Sequence, residues 1–236
     1  MSRHPSLYSL IDKAVFDYGM ICPGDRILVG ASGGKDSTAL ACYLSERSRW
    51  PSSNFTFAAL NIKADFAPPL PPEIAAFFRE HDVPLVSVDV DTLGRLKPGF
   101  RMNCWWCSTQ RRTELLKYAA ANGFNKIALG HHLDDILETL LMNMLNKGTI
   151  ATMPPKFSYR KYPVTIIRPL CYASERTVIG FAQERGFGCH TCTCSYQDNS
   201  GRKEARRILE AMTGGDDGRK QLLFRSMRNI KPEYLP

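Results

Sequence analysis

No stretch of this sequence is apolar for long enough to cross a membrane. The longest apolar runs, residues 27–30 and 126–130, cover a few positions where about 20 are needed. The first residues carry Arg3, His4, Asp12 and Lys13 in place of a signal peptide's apolar core, so the chain is read as cytoplasmic, with no membrane partner. Fixed-period repeats and low-complexity tracts are also missing, which argues against solenoids and disordered linkers. Acidic residues are scarce relative to basic ones, 23 against 31, for a net charge of +8. The excess is uneven: residues 200–231 hold nine Lys or Arg but only Glu204, Glu210, Asp216 and Asp217. Such a tail suggests a polyanionic partner, a solvated helical surface being the plain alternative. Cysteine is not scarce. Eight thiols in a chain without an export signal are a poor fit to a disulfide framework, because the cytosol keeps thiols reduced; metal ligation or catalysis fits better.

What is present is an ordinary apolar fraction of 44% over 236 residues, enough for one large α/β domain or two small ones. Leu7, Leu10, Ile11, Ala14, Val15 and Tyr18 recur at helical spacing and predict an opening amphipathic helix that ends near Gly19. Residues 26–30, 55–62, 85–90 and 126–130 read as buried strands, with helices expected from Thr38, over 72–81 and over 133–146. Residues 164–169 look like a short last strand, and 174–185 are again helical. Strands alternating with helices predict an α/β fold, a doubly wound parallel sheet covered on both faces, with a small carboxy-terminal helical appendage. The division expected is 1–150 for a nucleotide-binding part that includes the CxxC segment, and 151–236 for the remainder with its basic helices. No sharp boundary separates them.

Ser32, Gly33, Gly34, Lys35, Asp36 and Ser37 fall between a strand and a helix, where backbone N–H groups and the helix dipole converge on an anion. The glycines let the main chain approach phosphates, the serines offer hydroxyls, and Lys35 offers a point charge. The spacing is neither Walker A nor a dinucleotide fingerprint. It resembles the PP-loop, SGGKDS, of the ATP pyrophosphatases. That resemblance implies ATP as substrate, cleaved between its α and β phosphates with AMP passing to a carbonyl oxygen. A second motif, Gly130, His131, His132, Leu133, Asp134, Asp135, also joins a strand to a helix and should share the same sheet edge. Asp134 with Glu138, or Asp135 with Glu138, would place a carboxylate pair toward the crevice for Mg2+. His131 and His132 read as packing and hydrogen-bonding groups.

Cys104 and Cys107 form a CxxC, followed by Ser108 to Arg112 and a helix; Cys189, Cys192 and Cys194 form a distant trio. Together they read as a soft-metal site, either zinc, closed by Cys104, Cys107, Cys192 and Cys194, or an iron–sulfur cluster. Cys22, Cys42 and Cys171 read as small structural hydrophobes. The order of CxxCSxxRR, GHHxDDILETLxxNM, MPPK at 153–156, RPL at 168–170 and a cysteine ahead of Gln197 and Asn199 resembles the tRNA 2-thiocytidine synthetases, from the first helix to Pro232.

That resemblance implies an ATP-dependent tRNA sulfurtransferase that adenylates a cytidine in the anticodon loop and replaces its oxygen with sulfur. The implied cofactors are ATP, Mg2+ and a [4Fe-4S] cluster on Cys104, Cys107 and Cys194. The family usually has CxxC at the last site where this chain has Cys192, Thr193 and Cys194, so Cys192 is the alternative ligand. The implied partners are tRNA and a sulfur donor such as a cysteine desulfurase persulfide or sulfide, with a homodimer left open. Lys35, Asp36, Asp134, Asp135 and Arg112 are the expected catalytic groups, and the 32–37 loop with Gly130 and His131 the expected nucleotide contacts. Two other readings stay open on the residues alone: a PP-loop amidotransferase or ligase with structural zinc, and a non-enzymatic zinc-containing nucleic-acid-binding protein.

Overall fold

Strand β1 (Asp25–Gly30) buries Ile27 and Val29 on one face of a sheet and Leu28 on the other, the period-two alternation that a strand covered on both sides requires. The computed structural model, which describes residues 6–66, 69–187 and 200–234, builds around it a six-stranded sheet. Beside β1 lie β2 (Phe55–Ala64), β3 (Leu85–Val90), β4 (Lys126–Ala128), β5 (Lys156–Ser158) and β6 (Thr165–Ile167). The spatial order is β3-β2-β1-β4-β6-β5, parallel throughout except for β5, which pairs antiparallel with β6 at the edge.

The expected doubly wound α/β architecture is therefore what the chain adopts. The edge strand β5, with all three residues exposed, was not expected, because so short a solvated strand carries no apolar pattern. Since β6 pairs with β4, the sheet itself runs across residue 150.

The helices are α1 (Leu7–Tyr18), α2 (Lys35–Ser48), α3 (Pro72–Glu80), α4 (Cys104–Ala121), α5 (Leu133–Lys147), α6 (Glu175–Glu184), α7 (Ser200–Thr213) and α8 (Asp217–Ser226). Helix α1 stops where foreseen: Gly19 takes the left-handed conformation at φ 53° and donates back to Phe16 and Val15. Among the described helices α4 alone packs on one face of the sheet, through Leu115, Leu116 and Ala119, and the others build the larger core on the opposite face. Within that core α7 and α8 lie on α5. Cys42 and Cys171 are buried in it, and burial pushes both thiols up to about 12, as inert structural cysteines should be. Cys22 is a correction: it lies exposed, in the turn before β1, where it donates its backbone N–H to Asp25.

Among the described residues no helix is long and apolar enough to cross a membrane.

Candidate active site

Strand order reverses between β1 and β4, so the loops leaving their carboxyl ends open onto one crevice, the usual ligand position in such sheets. After β1 the chain turns at Gly33, with φ 82°, where an added Cβ would meet Leu70 Cδ1 at 2.8 Å. Gly34 caps α2 without a side-chain bond, so the first N–H groups of that helix keep their capacity for an anion. The serines brace the loop. Ser32 and Ser37 hydroxyls lie 3.1 Å apart, the Ser32 N–H donates to Ser37 Oγ at 3.2 Å, and Ser37 Oγ donates to the Gly34 carbonyl at 3.1 Å.

After β4 the chain passes Gly130 and His131 into α5, whose start is a reciprocal cap. The Asp135 N–H donates to His132 Nδ1 at 3.4 Å while the His132 N–H donates to Asp135 Oδ2 at 3.2 Å. His132 thereby orients Asp135, consistent with the structural use expected for it.

Between these loops and α4 lies a cavity of about 330 Å³ lined by Ser32, Asp36, Ser37, Gly130, His131, Asp135, Ser108, Arg111 and Arg112, with Leu60, Leu115 and Ile166 as part of an apolar floor. Its charges are divided. Burial raises the Asp36 carboxyl above its usual range despite His132 and Lys35 nearby, and Asp36 Oδ1, 3.2 Å from the Lys35 ammonium, accepts no hydrogen bond among the described residues. Burial acts the same way on Asp135, but there His132 and Arg202, with the hydrogen bond from the His132 N–H, outweigh it and hold the carboxyl below its ordinary value. His131 is pushed down to about 4 by burial and stands neutral, its Nδ1 without a hydrogen-bond partner among the described residues. Near Arg112, burial lowers the Arg168 guanidinium to about 10; Arg168 reaches the Pro154 carbonyl at 2.5 Å, which ties the RPL and MPPK motifs together.

The expected carboxylate pair on α5 needs correction. Glu138 is fully buried on Arg206 (2.8 Å) and Arg202 (3.4 Å), and Asp134 turns to Lys220 at 2.7 Å and to the Glu175 N–H at 2.7 Å. Only Asp135 of the three reaches the cavity, and its companion there is Asp36 from the other loop. Asp36 and Asp135 are two oxygen donors beside a phosphate cradle, a set that fits Mg2+, which usually takes one or two carboxylates and completes its shell with water and substrate phosphates. Lys35 does not line the cavity; its ammonium lies 3.2 Å from both Asp36 and Glu175. Burial lowers its pKa, but those carboxylates outweigh it and leave the amine above its ordinary value.

Helix α4 carries the CxxC in its first turn, earlier than expected, because Asn103 caps it by accepting from the Trp106 N–H at 2.9 Å. Cys104 precedes Ser108 by four residues and Cys107 precedes Arg111 by four, so both half-buried thiols extend the helix face that lines the cavity. The tryptophans divide: Trp106 donates its indole N–H to the Thr92 carbonyl at 3.1 Å, and Trp105 is 72% exposed. Two thiolates on one helical turn suit a cubane or a zinc ion, and among the described residues no three His, Cys, Asp or Glu side chains cluster as a metal site. Cys189, Cys192 and Cys194 lie outside the described residues.

Part of the basic tail's charge is spent within the fold: Arg202 and Arg206 pair with Asp135 and Glu138 of α5 while staying partly exposed, and Arg207 pairs with Glu204.

A family profile described as a PP-loop domain matches residues 107–212. A tRNA-cytidine(32) 2-sulfurtransferase of Methylococcus capsulatus is 37% identical over 235 residues, 97% of this chain and 81% of the relative. One of the same name from Xanthomonas campestris is 35% identical over 230 residues, 95% of this chain and 76% of the relative. This chain belongs to the tRNA-cytidine(32) 2-sulfurtransferase family. The resemblance read from its motifs is thereby borne out. The U34-tRNA thiolase NcsA from Methanococcus maripaludis, solved with its [4Fe-4S] cluster, matches with a TM-score of 0.79 over 98% of this chain and 80% of its own, at 22% identity, and supports the same fold.

Proposed function

We propose that this chain is an ATP-dependent tRNA sulfurtransferase that activates the C2 carbonyl of an anticodon-loop cytidine by adenylation and replaces its oxygen with sulfur. The observation that carries the reading is the single cavity on which three elements converge: the glycine loop with its uncapped helix start, the Asp36–Asp135 pair, and the α4 face that leads through Arg111 and Arg112 to Cys107 and Cys104. In the reaction, the phosphates of ATP lie against the N–H groups at the start of α2, with Ser32 and Ser37 as hydroxyl donors; Asp36 and Asp135 would hold Mg2+, which when bound neutralises phosphate charge. The base oxygen attacks the α-phosphorus and pyrophosphate leaves. Arg111 and Arg112 offset the charge that develops on the phosphoryl oxygens, and Lys35, held between Asp36 and Glu175, acts through Asp36.

Cys104, Cys107 and Cys194 would hold a [4Fe-4S] cluster that, when bound, supplies an open iron to carry sulfur to the activated carbon. AMP then departs. Asp134 acts at one remove, by fixing the start of α6. His131, neutral and with an unmet Nδ1, hydrogen-bonds the nucleotide or the base without taking on charge. A target base in the anticodon loop is single-stranded and can be turned out, and exposed Trp105 at the mouth of α4 offers it a stacking surface. Such an enzyme acts in the cytoplasm, receiving sulfur from a cysteine desulfurase persulfide or from sulfide, as a monomer or a homodimer.

The deciding experiment is mass spectrometry of tRNA nucleosides from a strain lacking the gene, with the wild-type gene and a Lys35→Ala gene as complements. Loss of 2-thiocytidine that only the wild-type gene restores is expected; an unchanged nucleoside profile would overturn the proposal.

A further inference from the structure

Lys35 and Asp36 are sequence neighbours at the mouth of the phosphate loop, and a lysine beside a carboxylate that must take a metal ion is a competitor for that carboxylate. The structure contains a second acceptor for the lysine. Glu175, the first residue of α6, places Oε1 3.2 Å from Lys35 Nζ, the same distance as Asp36. Glu175 is fixed from three sides. Its N–H donates to Asp134 Oδ2 at 2.7 Å, Asp134 is held in turn by Lys220 at 2.7 Å, and its Oε2 lies 3.5 Å from Arg206, itself anchored on the buried Glu138. The ammonium hydrogen-bonds Asp36 Oδ2 at 3.2 Å and lies equally near Oδ1, which among the described residues accepts no hydrogen bond.

We propose that Glu175 is a positioning residue of the nucleotide site, which shares the Lys35 ammonium with Asp36 and so keeps the Asp36 carboxylate open to Mg2+. The inference rests on the ATP role assigned above. With Glu175 neutral, the ammonium has one strong anion within reach and settles on it, so Mg2+ has to displace a lysine before it binds. The cost falls on metal occupancy and leaves the phosphate contacts alone.

The test is equilibrium binding of the α,β-methylene analogue of ATP to the full chain, purified anaerobically, across a Mg2+ titration, for wild type, Glu175→Gln and Glu175→Asp. Glu175→Gln should raise the half-saturating Mg2+ concentration roughly three- to fivefold, the size expected for a partly exposed ion pair, and leave affinity at saturating Mg2+ within about twofold. Glu175→Asp, which keeps the charge, should lie between it and wild type. An unshifted Mg2+ curve in Glu175→Gln, or an affinity loss of equal size at every Mg2+ concentration, would overturn the proposal and leave Glu175 a structural residue. A wild-type chain that binds no nucleotide at any Mg2+ concentration would overturn the ATP reading and this inference with it. Should Glu175→Gln fail to fold, as judged by circular dichroism, Glu175→Asp alone decides: its curve must shift in the same direction.

Discussion

Gly130 lies so close to Asp36 that an added Cβ would fall 2.9 Å from the Asp36 carbonyl carbon and 2.9 Å from the Ser37 backbone nitrogen. Both obstacles are backbone at the start of α2, so neither can rotate away. Gly130→Ala should therefore push the two loops apart. Nucleotide affinity is expected to drop at least about tenfold, or 1.4 kcal/mol, while the far-UV spectrum stays that of a folded α/β protein. Isothermal titration with the methylene analogue and Mg2+ checks this.

Cysteine substitutions should sort by position. Anaerobically purified Cys104→Ala and Cys107→Ala are expected to lose the visible absorption of the cluster and their labile sulfide, because each removes one of two ligands on a single helical turn. Cys42→Ala, remote in the core, should keep both at a modest cost in stability. Stoichiometric zinc without iron in the reconstituted wild-type protein would reject the cluster assignment.

Basic residues on α7 are not equivalent. Arg206→Ala leaves the fully buried Glu138 with Arg202 alone and should cost about 1–3 kcal/mol, read as a lower urea midpoint. Lys203→Ala is expected to leave the midpoint unchanged and to weaken tRNA binding, with a shallower dependence on salt, as loss of a phosphate contact requires. Equal loss of stability in both variants would contradict the ion-pair assignment.

Acid stability should report the buried pair of Asp25 and Lys126, 2.5 Å apart where β1 and β4 begin. Burial works to raise the Asp25 carboxyl, but Lys126, the Cys22 N–H and Asn125 outweigh it and hold it below its ordinary value of 3.8. A carboxyl depressed in the folded state binds its proton more readily when unfolded. Its contribution is thus complete above about pH 5 and is lost as pH falls through the folded value, below about pH 4. Lys126→Met should lower stability at neutral pH by about 2–4 kcal/mol and flatten this acid limb, which urea titrations from pH 7 to pH 3 would detect.

The phosphate loop, the helix that begins at Leu133 and the alternating strands were legible because each rests on a local signal: glycines at a strand–helix junction, a cap followed by an apolar stripe, a buried β-branched run. The partners of the acids were not. Spacing on α5 put Asp134, Asp135 and Glu138 within reach of one crevice, but which of them faces it depends on Lys220, Arg202 and Arg206, which arrive from helices some 65 to 85 residues later. Glu175 was missed for the same reason. Its only local mark is Ser174 ahead of it, which caps α6 by accepting from the Thr177 N–H. Helix α8 carries too weak an apolar stripe to announce itself, and it is fixed by Phe224 and Lys220 docking onto the core. Cys194 carries a family signature in the sequence, and its structural setting lies outside the described residues.

Helix α4 grips the sheet through its middle and carries its thiols in its first turn, ahead of the residues that grip. Folding and cofactor assembly are thereby placed in sequence along one rod. The body of the helix can seat before any iron arrives, because Leu115, Leu116 and Ala119 bury their side chains whatever the state of Cys104 and Cys107. A helix seated in this way holds its two thiols ready placed on an already folded scaffold, so that the chain's folding would not wait on the supply of metal.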